Sequence, residues 1–400
     1  MNHMMIAAVA SLMFGVASQA AAKPLKVYIL AGQSNMQGHV NVSTFDSMAA
    51  DPKTAPLLKE MRGADGKPRV CQKVWISSIG CAGDDTTEQK GKVTTGFGAS
   101  TEEIGPEFTF GIFMEKALNE PILIIKTSWG GKSLHTDFRS PGGGPYVFTE
   151  TELTGRKNRG DDMEKERANV SKATGAYYRQ MLDHVRKVLG DIKRVDPEYD
   201  PKQGYELAGF VWFQGFNDLV SDWTYTHQNQ PDCYDLYGTL LAHFIRDVRK
   251  DLAAPKMPFV IGVMGLNGMK PPRNELYFHR AQAAPAALPE FKGNVVAVET
   301  APYWDDGLNA LVIRRESRWS KVDAIVADMA KKNPKMTGEE LQAFKLNVEK
   351  EPFTQEEWKR LQGASNSGYH YLGAAKIMAP IGKAFAEAIM KLQKTEQKKP

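Results

Sequence analysis

The stretch Lys26–Gly38, K-V-Y-I-L-A-G-Q-S-N-M-Q-G, decides how this chain is read. Val27 to Ala31 form the apolar, β-branched run of a buried strand, which breaks at Gly32 into a short polar turn carrying Ser34. Open α/β sheets present reactive groups at the C-terminal ends of their strands, beside the crevice where ligands bind. An isolated Gly-x-Ser turn is commonplace, so the standing of Ser34 as a nucleophile depends on the other segments.

Four more apolar runs follow: Pro121–Ile125, Leu207–Phe213, Phe259–Val263 and Asn294–Val298. Helical patterns separate them, around Phe113–Leu118, Tyr177–Leu189, Leu240–Leu252 and Ala281–Leu288. This β/α alternation predicts one doubly wound domain over 23–393 with a five-stranded parallel sheet. Residues 39–101 predict an irregular excursion with one hairpin, which includes the short run Val74-Trp75-Ile76. Residues 138–170, rich in Gly, Pro and charge, read as an exposed, partly disordered insertion. The charged segment 301–364 reads as a helical insertion, with capping boxes at Thr337/Glu340 and Thr354/Glu357. An amphipathic helix from Ala374 to Leu392 then buries Ile377, Ile381, Phe385 and Ile389, and 394–400 is a flexible tail.

With 42% hydrophobic and 24% charged residues and a net charge of +4, the composition is that of a globular protein, and no basic block calls for nucleic acid. Residues 1–22 read as a secretory signal peptide: an apolar Met4–Ala17 stretch, then small residues suited to cleavage. The expectation is a secreted or periplasmic protein, not inserted in a membrane after cleavage. In that setting Cys71 and Cys81 could close a short loop as a disulfide, leaving Cys233 free; no Cys-x-x-Cys spacing suggests zinc.

A parallel sheet brings its polar strand ends to one edge: Ser34, Gly130-Gly131, Asn217, and His370 just before the last helix. Serine needs a base, and neutral His370 is the natural one. Ester attack also needs donors aimed at the developing oxyanion, which the Ser34 and Gly131 N–H groups and the Asn217 side chain can supply. His135 could line the pocket but reads as a surface-loop residue, and His184 and His243, on helices, read as structural. Trp129, Trp223, Tyr225, Tyr369 and Tyr371 are each as suited to the core as to a sugar-binding pocket.

G-Q-S-N-M around Ser34, G-P-E-F-T-F-G at Gly105–Gly111, S-W-G-G at Ser128–Gly131, G-F-N-D at Gly215–Asp218 and the late His370 resemble the ordered blocks of the SGNH-hydrolase superfamily. Within it the chain is similar to the sialate O-acetylesterase-like group and carbohydrate esterase family 6. The resemblance implies a three-layer α/β/α sandwich, flavodoxin-like in order, with no metal or cofactor. It implies a serine esterase that removes acetyl groups from carbohydrate, the substrate being an acetylated polysaccharide or sialic acid. It makes Ser34 the nucleophile, His370 the base, and Gly131 (or Gly130) and Asn217 oxyanion donors. Gln33, Trp129 and Tyr369 become candidate substrate contacts. Two positions depart from the pattern: Ser367 stands where an Asp usually precedes the histidine by three, and Phe216 where some relatives carry Glu. With no Asp or Glu between Trp358 and Ala386, an orienting acid must come from elsewhere. Asp218 is the first candidate and Asp305 or Asp306 the next; a backbone carbonyl behind a Ser-His dyad is the other option. The missing acid also admits a glycan-binding protein on a decayed esterase fold, and the superfamily admits lipid or aryl esters as substrates.

Overall fold

The computed structural model describes residues 23–81 and 84–397; the expected leader lies outside them. Among the described residues nine strands form in chain order: β1 (Leu25–Gly32), β2 (Val40–Asn41), β3 (Val74–Ile79), β4 (Glu88–Lys92), β5 (Glu103–Ile104), β6 (Ile122–Ser128), β7 (Tyr205–Phe213), β8 (Phe259–Val263) and β9 (Val295–Glu299). Seven build the main sheet in the order β4-β3-β6-β1-β7-β8-β9, while β2 and β5 make a small antiparallel pair. Only the β3–β4 pairing in the main sheet is antiparallel.

β1 is central because both its faces are apolar. Tyr28 and Leu30 enter a core shared with the helices Pro106–Leu118 and Ala375–Gln397. Val27, Ile29 and Ala31 enter a second core, against the helices Ala176–Gly190, Asp235–Asp251 and Arg273–Ala283. Each large aliphatic or aromatic side chain so buried contributes about 1.5–3 kcal/mol. The helix Ala375–Gln397 is drawn close to the helix Pro106–Leu118 at Gly382, where a Cβ would fall 2.3 Å from the Pro106 carbonyl oxygen. The β1 register runs level with its neighbours, Gly32 opposite both Ser128 and Phe213. The turns after β1, β6 and β7 therefore leave the sheet side by side.

The sheet is thus larger than the five strands expected: the 74–92 hairpin does not stand off as part of an excursion but extends the edge. Its strand character is masked by Ser77 and Ser78, polar but fully buried. Ser77 Oγ is satisfied by His184 Nε2 at 2.9 Å and Glu88 Oε1 at 2.5 Å, which removes the cost of burying it. Residues 150–159 and 163–173, expected to be irregular, are helices capped by Thr149 and Asp162. Segment 301–364 holds the helices Asp306–Glu316, Trp319–Lys332, Gly338–Lys350 and Gln355–Leu361, and both capping boxes form. Cys71 and Cys81 are not joined: both are buried free thiols, and the Cys81 sulfur lies 3.4 and 3.5 Å from the Ser78 and Ser128 hydroxyls. Among the described residues no helix is long and apolar enough to cross a membrane.

Candidate active site

Ser34 opens a one-turn helix, Ser34–Gln37, directly after β1. Gly32 permits this, because a Cβ there would sit 2.0 Å from the Phe213 carbonyl oxygen. The turn is held by Gln33 N–H donating to Phe213 O at 3.3 Å and Gly38 N–H to Ser34 O at 2.8 Å. Beneath it lies a fully buried ion pair: Lys126 Nζ donates to Glu107 Oε2 at 2.7 Å, and also to the carbonyls of Gln37 (2.7 Å) and Phe97 (2.6 Å). Glu107 Oε1 in turn accepts the Gly105 N–H. Desolvation pushes the Glu107 carboxyl above its usual range, opposed by Lys126. The G-P-E-F block therefore serves as a buried prop under the serine turn.

Gln33 is 1% exposed and spent inside the protein. Its Oε1 accepts the N–H groups of Gly215 and Asn217, which fixes its orientation and makes Nε2 a donor. That donor meets Asn217 Oδ1 at 2.8 Å, so the Asn217 amide turns its Nδ2 away from Gln33, with no other partner among the described residues. Gln33 is therefore a positioning residue for Asn217 and not a substrate contact. The N–H groups of Ser34 and Gly131 likewise have no hydrogen-bond partner among the described residues. Gly131 has φ +71°, and a Cβ there would meet nothing within 4 Å, so its backbone faces open space.

Asp218 is fully buried and does not orient His370. Its carboxylate accepts the N–H groups of Leu134 (2.7 Å) and His135 (3.0 Å), the Gln214 amide (2.6 Å) and the Tyr225 hydroxyl (2.8 Å). This clamps the loop after β6 to the loop after β7, fixing Gly131 relative to Asn217. Asp305 is committed elsewhere, to Lys376, Arg360 and the Leu308 N–H, while Asp306 is exposed.

The group behind His370 is Asn366. Asn366 Oδ1 accepts the Ser367 N–H at 2.8 Å and lies 3.1 Å from His370 Nδ1. Because the first bond identifies that atom as the oxygen, Nδ1 must carry the proton and Nε2 is left as the unprotonated ring nitrogen. Ser367 instead points its hydroxyl to Glu316 Oε1, at 2.6 Å. The loop is over-determined. Tyr371 and Leu372 hold left-handed φ of 52° and 62°, while the buried Tyr371 hydroxyl bonds Thr300 Oγ1 and the Gly265 N–H. Asn35 Nδ2 donates to Tyr369 O at 3.2 Å, joining this loop to the serine turn. Neither Ser34 Oγ nor His370 Nε2 has a hydrogen-bond partner among the described residues. Burial pushes the His370 imidazole down to about 3, with a further contribution from His39. The His39 ring is stacked on it, centroids 4.0 Å apart and planes 7° from parallel.

The family model described as "Carbohydrate esterase, sialic acid-specific acetylesterase" matches residues 24–310. The chain belongs to this family. As a member of the sialic acid-specific acetylesterase family it is a carboxylic ester hydrolase on an α/β fold. It is similar to a protein of Arabidopsis thaliana at 17% identity and TM-score 0.37, over 69% of this chain and 86% of that one. It is also similar to a carbohydrate acetylesterase of Xanthomonas citri (12%, TM-score 0.38, 70% of this chain) and a carbohydrate esterase family 2 enzyme with a carbohydrate-binding domain from Corynascus (Myceliophthora fergusii; 14%, TM-score 0.32, 72% of this chain). The chain spans 51% and 60% of those two proteins. No curated protein matches it.

Of the aromatic candidates, Trp129, Tyr225 and Tyr371 are core residues, at most 1% exposed. Trp129 Nε1 donates to Asp85 O, and its ring packs on Phe138 and Tyr177, so it is not a substrate contact. Trp223 is covered by Arg156 and Arg159. Tyr369, 46% exposed, stands edge-on to His370 and near Phe216. His135 is partly buried, hydrogen-bonded to Thr136 and packed against the rings of Tyr146 and Tyr225. Two residues carry no sequence assignment, His39 and Asn366. The signals for them were a histidine directly after G-Q-S-N-M-Q-G and an amide four, not three, residues before His370.

Proposed function

We propose that the protein removes O-acetyl groups from carbohydrate through an acetyl-serine intermediate, and that it does so outside the cytoplasm after loss of residues 1–22. Ser34 Oγ attacks the acetyl carbonyl carbon while its proton passes to His370 Nε2. The carbonyl oxygen becomes an oxyanion received by the Ser34 and Gly131 N–H groups and Asn217 Nδ2. Collapse expels the sugar oxygen, which takes the proton from His370. Water then loses a proton to His370 as it attacks the acetyl-serine; the Oγ–acyl bond breaks, Oγ takes that proton from His370, and acetate leaves with Ser34 restored.

The observation that carries this reading is the Gln33–Asn217 lock. It fixes the Asn217 amide with its donor end free, through Gln33 on the segment that delivers Ser34. Tyr369, exposed beside His370, is the side chain best placed to meet a sugar ring. The test is acetate release from a panel of acetylated polysaccharides and O-acetylated sialic acids, run beside aryl esters of increasing acyl length. Turnover of at least one acetylated glycan, falling off beyond acetyl, is the expected result. Saccharide binding with no hydrolysis of any ester would support the decayed-esterase alternative, and preference for long acyl chains the lipid or aryl one.

A further inference from the structure

We propose that His39 is a positioning residue for His370. Its ring, stacked face to face on the His370 imidazole, fixes that ring and stabilises the imidazolium formed on it during each acyl transfer, where a triad would use a carboxylate. The inference rests on His370 being the base.

The geometry begins at Gly38. Its φ of +93° and a close approach to Gly105, where a Cβ would fall 2.2 Å from the Gly105 Cα, set the direction in which the next residue leaves. The Gly38 N–H is bonded to Ser34 O and its carbonyl accepts the Ala99 N–H at 2.8 Å. One rigid turn therefore carries the serine and the stacking ring. At 4.0 Å and 7° the two imidazoles are stacked.

Among the described residues, no carboxylate is hydrogen-bonded to the His370 ring. Asn366 is neutral, Tyr369 offers a ring edge, and the Glu316 carboxylate is taken by Ser367 Oγ. On the side of His39 the charge that acts on it is the Lys126 ammonium, paired with Glu107 beneath the turn. Burial and that ammonium push His39 down to about 4, so it is neutral where an esterase works. A neutral aromatic ring over a forming cation presents its negative face, an attraction worth about a factor of ten in a desolvated site. A second protonated ring would repel instead, so the arrangement requires that His39 stay uncharged.

The test compares His39→Ala and His39→Phe in the full-length protein for kcat, KM and the pH dependence of kcat/KM on a small acetyl ester. Thermal melting and labelling of Ser34 by a serine-directed phosphonate are measured alongside. His39→Ala should lower kcat about tenfold with KM little changed, because the imidazolium loses the ring that faces it. His39→Phe, which keeps a π face, should retain most of kcat. If His39→Ala does not fold, His39→Gln takes its place as the ringless variant. An unchanged kcat in the ringless variant, a loss that falls on KM in place of kcat, or equal damage in Phe and the ringless variant while both remain folded, would overturn the proposal. A wild-type protein that does not label at Ser34 would overturn the underlying reading itself, and that outcome is distinguishable because it appears without any His39 substitution.

Discussion

The base at position 370 works with an amide behind it, and the consequences are measurable. An amide oxygen fixes the Nδ1–H tautomer but does little for the imidazolium, which leaves burial to hold His370 low, at about 3. A base of that kind is fully neutral above roughly pH 4, so kcat/KM should show no acid limb from His370 between pH 5 and 8. Asn366→Asp places a carboxylate against Nδ1–H, favours the imidazolium, and should carry the acid limb toward neutral pH while raising kcat. Asn366→Ala should cost about 10- to 100-fold in kcat with KM nearly constant. Steady-state kinetics across pH on the three proteins checks both expectations. At this scale the sequence was partly legible. Ser34, Gly131, Asn217 and His370 stand out by type and block order, whereas Gln33 and Trp129 look like substrate contacts until their burial is seen. Asp218 has the right chemistry for an orienting acid and the wrong neighbours. Nothing in a linear pattern tells four backbone and side-chain donors from one histidine.

Among the elements, the loop after β1 depends on a prop it does not itself encode. Lys126 reaches it from β6 and Glu107 from the helix Pro106–Leu118, both fully buried. Removing one partner strands a charge: Glu107→Gln should destabilise the protein by about 3 kcal/mol, and adding Lys126→Met should recover part of that. Denaturant unfolding of the single and double variants reads the coupling, and additive losses would count against the prop. The five apolar runs were readable as strands because parallel strands buried on both faces are continuous in hydrophobicity. The β3–β4 edge was not, since Ser77 and Ser78 interrupt that signal and are satisfied only by residues far along the chain, such as His184. Helices at 150–173 were hidden for the complementary reason: their stabilisation lies in caps and ion pairs such as Arg156 with Glu152 and Glu166, not in an apolar stripe.

Over the whole molecule, several histidines are buried in the neutral form. His279, on the helix Arg273–Ala283, is 8% exposed and pushed down to about 4 by desolvation alone. A histidine lowered on folding contributes stability that is complete above its unfolded value near 6.5 and is lost as pH falls toward the folded value. Between pH 7 and pH 5 the wild type should therefore lose about 1–2 kcal/mol that His279→Gln does not. Parallel loss in the two proteins would refute this. The layered architecture also explains why distant blocks converge. Level registers at β1, β6 and β7 bring three loops to one edge, and the helix Ala375–Gln397, packed under the same sheet, starts beside the His370 loop.

The central claim, that Ser34 carries the acetyl group in transit, is tested most directly by Ser34→Ala. With the variant folded as judged by circular dichroism and melting temperature, acetate release from an acetylated saccharide should fall by at least about 10³-fold, leaving only the contribution of the oxyanion donors and binding. Retention of near-wild-type acetate release in a folded Ser34→Ala protein would contradict the account.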